Sequence, residues 1–421
     1  MNLGLISLVA LLIAIAIGFF KNMNVGIISI GFAMILGLVF GIGNKDILAG
    51  FSSSLLIQMV GVTYLFGIVR HNGTLEIMAR RLVGLTGGHT KLIPVVMFLI
   101  GMVLSGVGPG AIPCLAIIPV IAIPVACSAG LNPIMLTIIG DLGVQATRMS
   151  PLTPETAVVV KLMEEQGVTS NPIPLMAAMA VTTVLLAVIV FIYYRGWKID
   201  ERYATGEQAQ IPPMKLINYL SIAGLLVLAV GVLFFGFNVG LTGFLVGSVL
   251  LFVDGDSKKA IQAVPWNVIW MVLGVGVLMN IVQLSGGVDL MVSALQTIIT
   301  KNTASPIMGI LAGVMSLFSS GLGVVFPTLI PTAGGLSAAT GANAVSICAA
   351  IVIGGTIAGY TPISTAGALI MAGVAQQENA EERFPQNRIF VELFVISFIA
   401  LALLAVLGFT GVYDIVVNMF A

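Results

Sequence analysis

Long apolar runs alternate with short polar breaks along nearly the whole chain. Runs of bilayer-spanning length, roughly 17–25 residues, fall near 3–20, 24–43 and 54–70. Others fall near 173–194, 216–235, 238–253, 266–284 and 389–412. Four further apolar stretches are interrupted. Stretch 92–127 is broken at Ser105-Gly106-Val107-Gly108-Pro109-Gly110, and 306–335 at Ser319-Ser320-Gly321-Leu322-Gly323. Stretch 133–160 is broken from Arg148-Met149-Ser150-Pro151 to Pro154, and 342–375 at Gly359-Tyr360-Thr361-Pro362-Ile363-Ser364. A short amphipathic piece near 74–85 carries Glu76, Arg80 and Arg81, and 285–305 is a polar break. The one true linker is 195–215, and Gln376–Arg383 reads as a solvated loop.

The pattern is written twice, about 214 residues apart. Phe20, Asn24, Val25 and Gly26 return as Phe234, Asn238, Val239 and Gly240. Gly61, Ile68, Val69 and Gly73 return as Gly274, Ile281, Val282 and Gly286. Ser105-Gly106-Val107-Gly108 returns as Ser320-Gly321-Leu322-Gly323, and Ser150-Pro151 as Thr361-Pro362. The units are therefore 1–194 and 216–421, joined by the 195–215 linker. In a membrane protein such a duplication points to a transporter with its site where the halves meet.

Stretches 92–127 and 306–335 are read as re-entrant hairpins with the Gly-rich breaks at their tips, which leaves five crossings per copy. Five is odd, so the second copy is inverted relative to the first. The expected fold is thus an all-α polytopic membrane protein of two inverted repeats, each with five transmembrane helices and one re-entrant hairpin. With both termini outside, thirteen of the seventeen Lys and Arg lie on the side of the linker and three on the other, with Arg148 inside the membrane region. That asymmetry places the 195–215 loop in the cytoplasm of an inner (plasma) membrane.

Composition narrows the class. Hydrophobic residues are 58% of the chain and charged residues 8%, too little charge for a soluble surface of 421 residues. The formal net charge is zero, so no nucleic-acid partner is implied. Cys114, Cys127 and Cys348 sit in apolar surroundings without CxxC spacing and read as buried thiols. The start, Met1 to Phe20, lacks a basic n-region and a cleavage site and reads as a retained span. His71 and His89 have no thiol partners for a metal, and no hydrolase, zincin or nucleotide-binding motif occurs.

The chemistry concentrates at the four breaks. Unwound backbone costs several kcal/mol per unpaired group in hydrocarbon, so it is kept only where protein, water or a ligand satisfies it. Half-helix N-termini offer N–H groups to an anion and C-termini offer carbonyls to a cation. Ser105, Gly106, Val107 and Ser320, Gly321, Leu322 are candidate substrate contacts at the tips; close helix packing by small residues is the alternative. Ser150, Pro151, Thr361 and Pro362 are candidate contacts at the broken spans, against a plain proline kink. Arg148 is the one basic residue well inside an apolar stretch and can clamp a carboxylate, or else pair with Asp141 or Glu155. Asp141 can carry a coupling proton. Glu155 is placed near the exit, where solvent reaches it.

These breaks, with a Ser-containing tip followed by a Ser/Thr-Pro break in each copy, resemble the ion transporter superfamily, which includes divalent anion:Na⁺ symporters. Length and the Ser105–Gly110 stretch look most like MatC-type dicarboxylate (malonate) carriers. The resemblance implies an elevator mechanism and a homodimer, with the first three spans of each copy as scaffold and the rest as a moving transport domain. It implies Na⁺ held by Ser105 and Ser320 with the backbone carbonyls of Met149 and Tyr360. The symporters carry Ser-Asn-Thr at the tips; here the serines are kept while Asn and Thr are replaced, a gap Arg148 can fill.

The expected activity is secondary transport of a small di- or tricarboxylate coupled to Na⁺, without an enzymatic role or a resident cofactor. Alternatives are proton coupling through Asp141, or a Na⁺/H⁺ or oxyacid antiporter of the same superfamily. Copy two has no carboxylate at its breaks, which weighs against a pure cation antiporter. The breaks occlude the path and form no ring of like charges, which weighs against a channel.

Overall fold

The computed structural model describes residues 2–420 except 22, 76, 79, 80, 82–89, 109, 169–170, 199–211, 254–255, 318–319, 362–363 and 376–384. The amphipathic piece near 74–85, the 195–215 linker and the Gln376–Arg383 loop fall partly or wholly outside the described residues, as does Pro362.

Every regular element among the described residues is helical. The first copy gives α1 (Leu3–Lys21), α2 (Val25–Phe40), the short α3 (Asn44–Ala49) and α4 (Ser53–His71). It continues with α5 (Ile93–Gly106), α6 (Ala111–Ala129), α7 (Pro133–Ala146), α8 (Pro154–Glu164) and α9 (Ile173–Tyr193). The second gives α10 (Leu216–Phe235), α11 (Val239–Leu251), the short α12 (Ser257–Gln262), α13 (Trp266–Leu284) and α14 (Gly287–Gln296). Next comes α15 (Ala304–Ser316), then a wide helical turn, Gly321–Val325, that runs into α16 (Phe326–Leu329). A tighter turn follows at Ile330–Thr332, and then α17 (Ala333–Thr340), α18 (Ala344–Ile357), α19 (Thr365–Ala375), α20 (Gln386–Phe409) and α21 (Val412–Phe420). Six described helical segments are long and apolar enough to cross a membrane, and eight shorter ones are apolar. The chain is a polytopic membrane protein.

Local chemistry sets the starts. Asn24 accepts N–H groups of Gly26 and Ile27 at the head of α2, and Asn238 does the same for Gly240 and Leu241 at α11. Asn132 caps α7 through Ile134 and Met135, and Asn343 caps α18 through Val345 and Ser346. Each cap fills one or two of the donors a helix start leaves open. Four elements depart from the sequence reading. The polar break 285–305 contains α14, whose first turn carries Asp289. The short α3 and α12 follow α2 and α11, so those spans end earlier than their apolar runs. A helix, α21, follows the last span.

Helices α1–α4 pack with α10–α14, chiefly α2 on α13 and α4 on α11. Helices α5–α9 pack with α15–α21, with α7 and α18 at the centre. All fourteen residues of α7 are buried, as are Ser346–Ile357 of α18. A helix buried on every side needs no polar stripe, which is why these segments read as continuous apolar runs.

Side-chain and backbone contacts fix the direction of α5. Thr147 Oγ1 donates to the Met102 carbonyl at 2.7 Å and Ser150 Oγ to the Gly106 carbonyl at 2.7 Å. A Cβ on Gly143 would meet the Phe98 Cα at 3.0 Å. The partners advance together, so α5 runs parallel to α7. Since α7 begins just after α6 ends, α5 and α6 form a hairpin whose open ends share one side. In the second copy Gly309 lies by Ala350 and Gly313 by Gly354, so α15 runs parallel to α18 in the same way.

Candidate functional site

A cavity of about 630 Å³ lies where the two packing groups meet. From one side it is lined by Ile15, Gly18, Val25 and Met271; from the other by Gln145, Arg148, Ser320, Gly321, Thr356 and Gly359. Leu322 and Ser364 also reach it. Ser105, Gly106, Val107, Met149, Ser150, Pro151, Tyr360 and Thr361 are not on its lining. Pro362 lies outside the described residues.

Arg148 is delivered by the end of α7. The helix stops at Ala146, and Thr147 holds the turn through its bond to Met102. Thr153 Oγ1 lies 2.6 Å from the Arg148 carbonyl and 3.0 Å from that of Ser150, and accepts the Thr156 N–H at the head of α8. Ser364 repeats this geometry in copy two, with its hydroxyl on the Gly359 and Thr361 carbonyls and the Gly367 N–H on its oxygen. These hydroxyls satisfy carbonyls that a broken helix exposes.

Arg148 is 7% exposed. Its Nη1 donates to Gln145 Oε1 at 3.4 Å and to Thr356 Oγ1 at 3.3 Å, and its guanidinium carbon lies 5.8 Å from the Phe326 ring centre. Its Nε has no partner. No carboxylate lies within ion-pair distance among the described residues. The ion pairs weighed for Arg148 with Asp141 or Glu155 are therefore not formed. Asp141 is fully buried, and neither of its carboxylate oxygens has a hydrogen-bond partner.

Glu155 corrects the reading of a solvated residue: it is 1% exposed. Its Oε1 accepts the Ala111 N–H at 2.8 Å, at the first residue of α6. A helix start is a favourable place for an anion, and it draws this carboxylate inward. At the second tip Ser320 Oγ accepts the Gly323 N–H at 3.1 Å. The N–H groups of Gly321 and Leu322 head that helical segment beside the cavity. Ser105 Oγ, Tyr360 Oη and Thr361 Oγ1 are buried without partners near the breaks.

Sequence reading missed Gln145, Ser316 and Thr356 on the lining. Gln145 stands three residues before Arg148, on the same helix face, which was a usable signal. Thr356 was visible only by overlaying the copies. Anchored on Ser150 and Thr361, the overlay places Gln145 against Thr356 and Arg148 against Gly359.

Residues 1–148 match the family model described as dicarboxylate carrier protein MatC, N-terminus. The resemblance to MatC-type carriers read from the tip motif is borne out over that part of the chain. Among solved structures the chain is similar to the crystal structure of the YdaH transporter of Alcanivorax borkumensis, described as having an unusual topology. The two are 15% identical with a TM-score of 0.61, and the alignment covers 87% of each chain, a likeness of fold. No curated protein matches the sequence. Neither likeness is to an enzyme.

Proposed function

We propose that this protein is a secondary carrier of small dicarboxylates, of the malonate and C4-dicarboxylate class, driven by Na⁺. The observation that carries the reading is Arg148, a buried cation with no carboxylate at ion-pair distance among the described residues, lining the same cavity as the helix start at the second tip. A cargo carboxylate supplies the missing counter-charge, and charge-assisted bonds to a guanidinium are among the stronger ones. The family match over residues 1–148, which ends at Arg148, agrees with that cargo class.

In this reading the two hairpins are re-entrant, and the second copy is inverted in the membrane. Helices α1–α4 and α10–α14 are the scaffold and dimer interface, and the remaining helices move past them as an elevator. The preference of each group to pack within itself supports this division, and the cavity at their boundary is where a moving site would load. Na⁺ is held by Ser105 and Ser320 with the Met149 and Tyr360 carbonyls. The charge asymmetry sets the linker in the cytoplasm and both termini outside an inner membrane. A second reading, proton coupling through Asp141, is favoured by a buried carboxyl whose two oxygens have no partner.

The test is uptake of labelled malonate and succinate into proteoliposomes under an imposed Na⁺ or pH gradient. Na⁺-driven uptake that falls about a hundredfold in Arg148→Ala is expected, the loss of roughly 3 kcal/mol of charge-assisted bonding. Uptake driven by pH alone would move coupling to Asp141. Uptake of neither acid under either gradient would remove the dicarboxylate reading.

A further inference from the structure

The two tips are alike in motif but not in what occupies them. In copy one the Glu155 carboxylate sits on the start of α6, bonded to the Ala111 N–H. Gly110, at φ +77°, makes room for it: a Cβ there would lie 2.6 Å from the Glu155 carboxyl carbon and 2.7 Å from Oε1. Only glycine lets the carboxylate seat against that backbone. In copy two the residue matching Glu155 is Ala366, which lines the cavity.

The cations are lopsided in the opposite sense. Arg148 belongs to copy one, and its counterpart is Gly359. Yet its guanidinium reaches into copy two, to Thr356 and over Phe326. The protein's own anion thus stays at the first tip, and its buried cation leans toward the second. Arg148 lines the cavity, is 7% exposed, and its Nε is buried without a partner.

Resting on the carrier reading above, we infer that Glu155 is a built-in carboxylate that permanently fills the anion place of the first tip. The transported carboxylate is then taken by the second tip and Arg148 alone. Glu155 acts as a positioning and specificity residue: it locks the first hairpin and keeps a second anion from binding there. Ala366 leaves the cavity wall near the second tip without a protein carboxylate; the N–H matching that of Ala111, on Phe326, is already bonded to the Gly321 carbonyl, so the open donors there are those nearer the tip.

Two pairs of variants test this in the full-length carrier. Ala366→Glu puts a tethered carboxylate where cargo should sit, while Ala366→Gln adds the same bulk without charge. Malonate or succinate uptake is expected to be at least about tenfold lower in the Glu variant than in the Gln variant. Equal uptake overturns the proposal. Glu155→Ala empties the first tip, and sodium formate is the probe. Against equal sodium chloride, formate should raise the unfolding midpoint of Glu155→Ala by about 2 °C more than that of wild type or Glu155→Gln. No excess stabilisation overturns the proposal. The formate measurement needs no transport, so a protein that moves neither acid would sink the carrier reading and still leave this one decidable. Where Glu155→Ala yields no folded protein, the Ala366 pair decides alone.

Discussion

Gly61 offers a sharp test of the helix packing. It faces Gly240 where α4 crosses α11. A Cβ on Gly61 would lie 2.7 Å from the Gly240 carbonyl carbon and 2.8 Å from its Cα. Ordinary carbon contacts are about 3.5–4.0 Å, so the two helices would have to part by roughly 1 Å. The obstacle is backbone, and no side chain can rotate away. Overpacking of this kind costs about 1–3 kcal/mol, offset by about 0.5–1 kcal/mol that Ala gains over Gly in a helix. Gly61→Ala should therefore lose about 1–2 kcal/mol. Gly31 in α2 is the control, since a Cβ there meets nothing within 4 Å. Gly31→Ala should gain about 0.5–1 kcal/mol. The three buried cysteine thiols provide the assay, because a thiol-reactive dye reports their exposure as detergent-solubilised protein is heated. At about 2 °C per kcal/mol, the two variants should melt several degrees apart on opposite sides of wild type. Coincident midpoints would refute the close crossing.

The capping asparagines should each matter. Asn132→Ala and Asn343→Ala are each expected to lose about 1 kcal/mol, read as a lowered midpoint in the same dye assay. An unchanged midpoint would show that the α7 and α18 starts are satisfied otherwise. Asp141→Asn separates the coupling ions: Na⁺-driven uptake should survive it. Loss of all gradient-driven uptake with folding intact would assign coupling to the Asp141 proton.

Much of this architecture was legible because a bilayer makes sequence blunt. Backbone in hydrocarbon must be helical, so a run such as Ile173–Tyr193 has one reading. A cluster such as Ser150-Pro151 inside such a run marks a break. What was not legible depends on contacts across long separations. Glu155 stands one residue after Pro154 and looks like a helix-start carboxylate facing solvent. Its burial follows from the tip at Ala111, which the fold brings to it. Arg148 was singled out from sequence, but its reach to Thr356 and Phe326 was not. The short α3 and α12 were hidden because they are six-residue segments opening on Asn44-Lys45-Asp46 and Ser257-Lys258-Lys259, which read as polar connections between spans.

The duplication itself held the missing signal. Two copies under one structural rule should agree wherever the residue serves the rule, as the capping pairs Asn24 with Asn238 and Asn132 with Asn343 do. A buried charge present in only one copy cannot serve a rule common to both. Arg148 against Gly359 and Glu155 against Ala366 are two such disagreements, each at a break. Burying a charge is costly unless something compensates it. For Glu155 part of the compensation is the N–H at the start of α6, on Oε1, while Oε2 has no hydrogen-bond partner. For Arg148 the neutral Gln145 and Thr356 give hydrogen bonds, and Glu155 acts on it only from beyond ion-pair distance. Glu155 seats on backbone of its own copy, while Arg148 reaches across to Thr356 and Phe326 of the other. On the carrier reading proposed above, that reach puts the carried anion in the second half of the molecule, beside a cation lent by the first.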